Sequence, residues 1–148
     1  MDFENFVMFY LCKIEGLFIS AQYSILDDNG NDWSCPDFIA LDIKNKQVQI
    51  VEVTTAANMK NIIIKVEKKD EYWINKLKMQ LLNNKIIDES WNDFIIRLFV
   101  REHNVKMLKE RFESLANKIK IVSIESIAYH WNWPWPIKKK KQIRQPIQ

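Results

Sequence analysis

The sequence predicts an α/β protein in which helices flank a central mixed sheet, and two observations carry this prediction. Residues 36–55 contain two apolar runs separated by a turn, which is the pattern of an antiparallel hairpin. Residues 93–100, "DFIIRLFV", are almost continuously apolar, as in a strand that is buried on both faces and reached by a helical crossover. A sheet with both kinds of connection is mixed, and helices must cover its faces.

The first half of the chain is predicted to form one helix and three strands. Residues 3–15 have the spacing of an amphipathic helix that Gly16 ends. The apolar residues that recur along it are Phe6, Phe9, Tyr10 and Ile14. Residues 17–26 are predicted to be the first strand, and residues 27–34, "DDNGNDWS", have the composition of a turn. The two hairpin strands follow.

The second half is predicted to alternate helices with strands. A long helix over residues 58–83 starts at Asn58, a residue type that caps helix N-termini. The strand at 93–100 follows, then a helix at 104–117 and a last strand at 118–124. The inward-facing residues expected on the two helices are Met59, Ile62, Ile63, Val66, Trp73, Leu77 and Leu81, and Met107, Leu108, Phe112 and Leu115. The predicted element order is therefore α-β-β-β-α-β-α-β.

The composition argues against several kinds of site. The chain has 148 residues, enough for one domain with a sizeable core, and only two glycines, which disfavours Gly-rich phosphate loops. Cys12 and Cys35 do not make a disulfide framework. His103 and His130 stand far apart, with no Cys or His at ligand spacing, so we expect no structural zinc site.

The sequence gives no indication of export or of a membrane span. The apolar N-terminal stretch includes Asp2 and Glu4, and it lacks the basic start and small-residue cleavage site of a signal peptide. No apolar run reaches the length of about 18 residues that a spanning helix needs. We therefore expect a cytoplasmic protein without membrane contact, in the virion or host cytoplasm if a phage encodes it.

Charge divides the chain into a domain, residues 1–130, and a Trp/Pro-rich and basic tail, residues 131–148. Five of the 22 basic residues lie in 137–148, which leaves 17 bases against 19 acids elsewhere, a net charge of −2. Tryptophans beside lysines can stack on unpaired bases, dock into a protein partner, or pack on the domain edge; packing or docking is preferred. The candidate contact residues of the tail are Trp133, Trp135, Lys138, Lys139, Lys140 and Lys141.

The hairpin strands carry two acids, Asp37 and Glu52, among apolar residues. Side chains alternate between strand faces, and pairing residue 43 with either 46 or 48 places both acids on one face. They are then direct neighbours about 5 Å apart, or diagonal ones about 7–8 Å apart. Carboxylates this close repel each other unless a cation lies between them, and magnesium prefers such oxygen ligands. The alternative is that both are solvated acids at strand ends.

The segment "PDFIALDIKNKQVQIVEVTT", residues 36–55, resembles the core motif of the PD-(D/E)XK nuclease superfamily. That motif has Pro-Asp at the start of one strand and Asp/Glu-X-Lys on the next. Pro36-Asp37 matches the first part, and Glu52 matches the acid of the second. The resemblance implies a restriction-endonuclease-like α-β-β-β-α-β core over roughly residues 3–124. It also implies hydrolysis of DNA phosphodiesters with magnesium or manganese, in which Asp37 and Glu52 are metal ligands and catalytic residues.

Members of this family often have a metal-binding or site-orienting glutamate on the first helix. Glu4 matches that position best, and Glu15, at the other end of the helix, is the reserve candidate. Glu4 has an equally good interpretation as a first-turn acid that the helix dipole stabilises.

The lysine of the motif is missing, because residue 54 is threonine. An uncharged hydroxyl cannot supply the positive charge that balances a phosphorane. The family tolerates relocation of this lysine to a neighbouring element, and the helix after the hairpin offers Lys60, Lys65 and Lys69. We favour Lys65 as the catalytic lysine. Each of the three alternatively belongs to a solvated helix face.

Thr54 also allows a second function class. The chain is then a catalytically inactive nuclease-fold protein, a structural or docking subunit of an assembly such as a viral one. The net negative charge outside the tail supports this class, since a stand-alone nuclease usually shows DNA a basic face. The retained pair Asp37 and Glu52 argues against an inactive protein, because two repelling acids have no evident use without a metal. The preferred prediction is a nuclease that contacts DNA, alone or within a larger phage, repair or defence complex.

Overall fold

The computed structural model describes residues 2–130 of the chain. The helices are α1 (Phe3–Cys12), α2 (Lys60–Glu67), α3 (Asn75–Asn83), α4 (Glu102–Arg111) and α5 (Ile124–His130). The strands are β1 (Leu17–Ala21), β2 (Ile25–Leu26), β3 (Asp32–Ser34), β4 (Phe38–Asp42), β5 (Gln47–Val53), β6 (Asp93–Val100) and β7 (Ile119–Ser123). A π-helical turn (Asp70–Ile74) joins α2 to α3, and a 3-10 turn (Glu113–Leu115) follows α4.

The central sheet is mixed, as the sequence predicts. Its 5 strands run in the order β1-β4-β5-β6-β7. The pairs β1–β4 and β4–β5 are antiparallel, whereas β5–β6 and β6–β7 are parallel. The parallel pairs need crossovers, which the helical segment 60–83 and α4 provide. The predicted α/β class with a central mixed sheet and flanking helices is therefore confirmed.

Each face of the sheet has its own core. One face places Ile50 and Leu98 against the α2–α3 segment and α4. The other face places Val51 and Phe99 against α1 and α5. This division follows from strand alternation, since neighbouring residues of one strand point to opposite faces. The predicted inward residues of the 58–83 helix belong to the first core, and all are buried except Ile63, which is half-buried.

The hairpin adopts the tighter of the two predicted registers. Phe38 pairs with Val51, and the ladder continues to Asp42 opposite Gln47. Residues 43–46 close the turn, with Lys46 at φ 51°. One step further along this register, Asp37 lies opposite Glu52.

The prediction of one strand over 17–26 is wrong. Strand β1 ends at Ala21, and Gln22 turns the chain at φ 57°. Strand β2 then pairs with β3 in a separate two-stranded sheet, so residues 27–34 are not all turn. The turn itself is tight because the Asp27 carboxylate accepts the backbone N–H groups of Asn29 and Asn31, each at 2.9 Å.

Helix boundaries and two inward-facing residues also differ from the prediction. Helix α1 ends at Cys12 instead of residue 15, and Phe9 is exposed because Val7 and Leu11 form its buried line. Met107 on α4 is exposed for the same reason, since Leu108 lies at the centre of that helix's inner face. The helix predicted at 104–117 is α4 with its 3-10 turn, and α5 was not predicted. Among residues 2–130, none of the helices combines the length and apolarity that crossing a bilayer requires.

Candidate functional site

The two hairpin acids lie side by side at one end of the sheet. Asp37 directly precedes β4, and Glu52 is the second-last residue of β5. Each carboxylate is held by the backbone of the other strand. The Asp37 Oδ2 atom accepts the Val53 N–H at 2.7 Å, and Glu52 accepts a hydrogen bond from the Asp37 backbone. Strand pairing therefore fixes both side chains in place.

Glu4 joins this pair from α1. The Asp2 carboxylate caps α1 by accepting the Asn5 N–H at 2.8 Å, which places Glu4 in the first helical turn. Partial burial raises the pKa of Glu4, followed by the Asp37 charge and by a hydrogen bond between the Glu4 and Asp37 carboxyl groups. Glu4 is thus in direct contact with Asp37, a contact that a site-orienting glutamate needs and that a first-turn acid complementing only the helix dipole does not require.

Burial also raises the pKa of both hairpin acids. For Glu52 the pKa reaches about 7; burial is the main cause, and the Asp37 charge adds to it. For Asp37, burial outweighs the hydrogen bonds from Val53 and Glu4, which lower the pKa. The site thus brings together carboxyl groups whose ionised forms are less stable than in open water. A cation at this point would stabilise the ionised forms.

Lys65 is the lysine that the fold brings to these acids. It is half-buried on α2, and against the larger effect of burial its charge lowers the pKa of both Asp37 and Glu52. Lys69 instead lies 3.7 Å from Asp70 in an ion pair. Lys60 is exposed in the first turn of α2. Of the three candidate lysines, Lys65 alone contributes to the electrostatics of the acid pair.

The donor set fits a two-carboxylate cation site. Among residues 2–130, no group of three or more His, Cys, Asp and Glu side chains is arranged to hold a metal ion. Magnesium typically uses one or two carboxylates and completes its shell with water and phosphate oxygens. Asp37 and Glu52 supply that number. Glu4, predicted as a third ligand, contacts the site through its hydrogen bond with Asp37.

Thr54, at the motif's lysine position, serves the backbone. Its N–H donates to the Phe99 carbonyl at 2.9 Å, which extends the β5–β6 ladder by one residue. Its hydroxyl oxygen accepts the Ala56 N–H at 3.2 Å, a local turn in which the chain leaves the sheet toward α2. A lysine side chain cannot accept this hydrogen bond, so the turn explains structurally why position 54 is threonine.

Removing the Thr54 hydroxyl should cost stability without affecting the acids. We expect Thr54→Val to lower the free energy of unfolding by about 1 kcal/mol, the usual value of one such hydrogen bond. Urea unfolding gives the change, with Thr55→Val at the next, exposed position as the matched control. An unchanged stability, or a loss of metal binding, would contradict a purely structural role.

Sequence reasoning missed two residues of the segment that leads into Asp37, Trp33 and Cys35. The pKa of the Cys35 thiol is raised by burial and then by nearby carboxylates, including Asp37 and Glu52. Trp33 lies in the run interpreted as a turn, and only its residue type could have indicated a contact role.

Glu15 lies beyond the end of α1 and is exposed. The tail residues predicted as contacts, from Trp133 to Lys141, lie outside the described residues.

Comparison with protein-family models, with curated proteins and with solved structures gave no match to this chain. The fold and the site define a mixed α/β protein that brings two half-buried carboxyl groups, a hydrogen-bonded third and one lysine together at a sheet end. The chemistry of these residues is therefore the basis for assigning a function.

Proposed function

We propose that the protein is a metal-dependent nuclease with a restriction-endonuclease-like core, which hydrolyses DNA phosphodiester bonds. The convergence of Lys65 with Asp37 and Glu52 is the observation that carries the proposal. Lys65 comes from α2, Glu52 from β5 and Asp37 from the position just before β4. The segment matches the PD-(D/E)XK motif except at position 54, where threonine stands in place of the lysine. A lysine from α2 supplies the missing charge.

Each residue has a distinct role in this proposal. Asp37 and Glu52 hold a magnesium or manganese ion, and Glu4 orients the Asp37 carboxylate through their hydrogen bond. The bound ion supplies polarisation of the phosphate and acidification of a water molecule. Lys65 provides positive charge where negative charge builds up on the phosphate. The half-buried setting strengthens these interactions, because charges attract more strongly away from bulk water.

The order of the core elements supports the same class. One helix precedes an antiparallel β1–β4–β5 meander, and the helical segment 60–83 crosses to the parallel strand β6. Glu52 lies on β5, the middle strand of the sheet, and Asp37 directly precedes the neighbouring strand β4. The small sheet β2–β3 is an insertion into this order.

The alternative is an inactive docking subunit, which Thr54 allows. The position of Lys65 counts against it, because a half-buried lysine whose charge acts on two acids has no evident use in a protein without chemistry. A wild-type protein that neither binds divalent metal nor cuts DNA would favour the inactive docking subunit over the nuclease.

The deciding experiment is metal titration by calorimetry combined with nicking of supercoiled plasmid. We expect wild-type protein to bind magnesium or manganese and to nick the plasmid. Asp37→Asn keeps the shape of the side chain but removes its charge, and should lower both metal affinity and nicking by about 100-fold or more. Glu15→Gln, an exposed acid outside the site, is the matched control and should behave as wild type. Nicking that survives Asp37→Asn would contradict the proposal.

A further inference from the structure

An aromatic strip lies next to Lys65, formed by the exposed Trp33 and the half-buried Tyr72 and Lys76. The ring centres of Trp33 and Tyr72 are 5.6 Å apart. The Lys76 ammonium lies 4.3 Å from the centre of the Trp33 ring. The strip thus joins the small β2–β3 sheet to the helical segment that follows α2.

The strip is continuous with the candidate catalytic site. The Lys65 ammonium lies 5.6 Å from the centre of the Tyr72 ring, and it also acts on the two acids. Trp33 precedes Asp37 by only four residues, through the segment that leads from β3 to β4. A strand of nucleic acid with its phosphate at Asp37 and Lys65 therefore meets the aromatic strip first at Tyr72 and then at Trp33.

Trp33 is placed for contact and not for the core. Its side chain is 43% exposed, whereas Trp73, next to Tyr72 in the chain, is fully buried and fills the core position. The Trp33 indole N–H donates to the Tyr72 carbonyl at 2.7 Å, in the π-helical turn. The hydrogen bond holds the exposed ring in one orientation before any partner binds, which reduces the entropy lost on binding.

The chemistry of the strip matches unpaired nucleobases. Bases stack on exposed aromatic rings, and flanking lysines hold the phosphates. The Lys76 contact with the ring is a cation–π interaction at an exposed site, weaker than base stacking, so a base can displace the ammonium toward a phosphate. In a duplex the faces of the bases are covered by their neighbours, and stacking on Trp33 requires a base that has left the helix.

An acidic groove limits how far the strip extends. Beyond Lys76 lies a groove of about 700 Å³ whose lining includes Asp27, Asp28 and Glu71. These carboxylates repel phosphates. The strip therefore accommodates a short single-stranded segment between the acid pair and the groove, not a long track.

We propose that Trp33 and Tyr72, with Lys76, form a stacking surface for unpaired bases, so that the substrate of the site is single-stranded DNA or an unpaired DNA end. This inference rests on the proposed nuclease function, whose Lys65 contacts Tyr72 of the strip. It names the class of substrate, which the acid pair and Lys65 leave open.

The test measures binding separately from cutting. Fluorescence anisotropy follows a labelled dT12 oligonucleotide and a labelled blunt duplex, with magnesium, on proteins that all carry Asp37→Asn and retain the tail. We expect Trp33→Leu to weaken dT12 binding by about tenfold and to leave duplex binding unchanged. Trp33→Phe keeps a ring but loses the indole hydrogen bond, and should stay within about threefold of its parent. Phe9→Leu, an equally exposed aromatic on α1, is the matched control and should have no effect.

Two results overturn the inference: equal dT12 affinity with and without Trp33, as for a surface that docks protein, or equal losses for dT12 and duplex. Melting temperatures of the variants, compared with their parent, exclude unfolding as the cause of a loss. Because Asp37→Asn is present throughout, the binding result does not depend on catalysis. A wild-type protein that cuts neither supercoiled plasmid nor dT12 refutes the nuclease and leaves the stacking surface standing when the dT12 preference depends on Trp33.

Discussion

Replacing Lys65 by methionine is expected to leave divalent-metal binding in place and to lower the rate of plasmid nicking by about 10²–10³-fold. That is the usual cost of removing one preorganised group that stabilises transition-state charge. Methionine preserves most of the apolar stem but removes the ammonium, which lies 5.6 Å from the centre of the Tyr72 ring. Metal affinity by calorimetry and nicking rate on the same samples separate the two effects.

The neighbouring lysines are matched controls for this substitution. Lys69→Met breaks an ion pair with Asp70 and should leave nicking unchanged, because that lysine is already paired away from the acids. Lys60→Met changes an exposed residue of the same helix. If either control lost activity while Lys65→Met retained it, the assignment of the catalytic lysine would be wrong.

Returning a lysine to position 54 provides the converse test. In the Lys65→Met background, Thr54→Lys restores the Asp/Glu-X-Lys pattern that starts at Glu52. We expect it to recover part of the nicking rate, at the cost of the turn hydrogen bond to Ala56. Full loss in both proteins would indicate that the amine must approach from α2, the direction that Lys65 uses.

The hairpin shows why part of the site could be predicted from sequence. Strand alternation and two apolar runs left few registers, and each that kept the apolar faces intact placed Asp37 and Glu52 together. The observed ladder selects the register with the acids directly opposite. The choice of Lys65 among three lysines depended on helix placement, which sequence spacing constrains only loosely.

Other parts of the site depend on tertiary contacts that sequence patterns do not report. The hydrogen bond between Glu4 and Asp37 requires α1 to cross the end of the sheet, and no periodicity encodes that crossing. The break at Gln22 and the short strand β3 depend on local turns inside an apolar run. Trp33 was missed for this reason, since a strand of 3 residues gives no periodic signal.

Substituting Glu52 by glutamine is expected to stabilise the metal-free protein in alkaline buffer. The difference in free energy of unfolding between Glu52→Gln and wild type should increase by about 2 kcal/mol, in favour of Glu52→Gln, from pH 5 to pH 8. The folded-state pKa of about 7, against an ordinary 4.5, corresponds to about 3 kcal/mol, which partial solvent exposure of the side chain reduces. Glutamine keeps an oxygen that can accept from the Asp37 backbone.

The sign of this effect follows from the raised pKa. Below pH 4.5 the Glu52 carboxyl is protonated in the folded and unfolded protein alike, and its ionisation costs nothing. As the pH rises toward 7, the unfolded chain loses the proton first, so wild-type stability falls with pH and the loss is complete above about 7. Urea unfolding in EDTA at both pH values measures it, with exposed Glu89→Gln as the control. A stability difference that does not change with pH would contradict the buried, ionisable role of Glu52.

Magnesium should reverse the order of the two proteins at pH 8. A ligand that binds only the folded state adds about 2.7 kcal/mol when its concentration is 100 times its dissociation constant. Wild-type protein, with Asp37 and Glu52 both ionised by the cation, should gain this stability, whereas Glu52→Gln should gain little. Two carboxylates that destabilise the empty site and stabilise the loaded one are a signature of metal binding. Equal stabilisation of both proteins would remove Glu52 from the ligand set, whatever its effect on the metal-free fold.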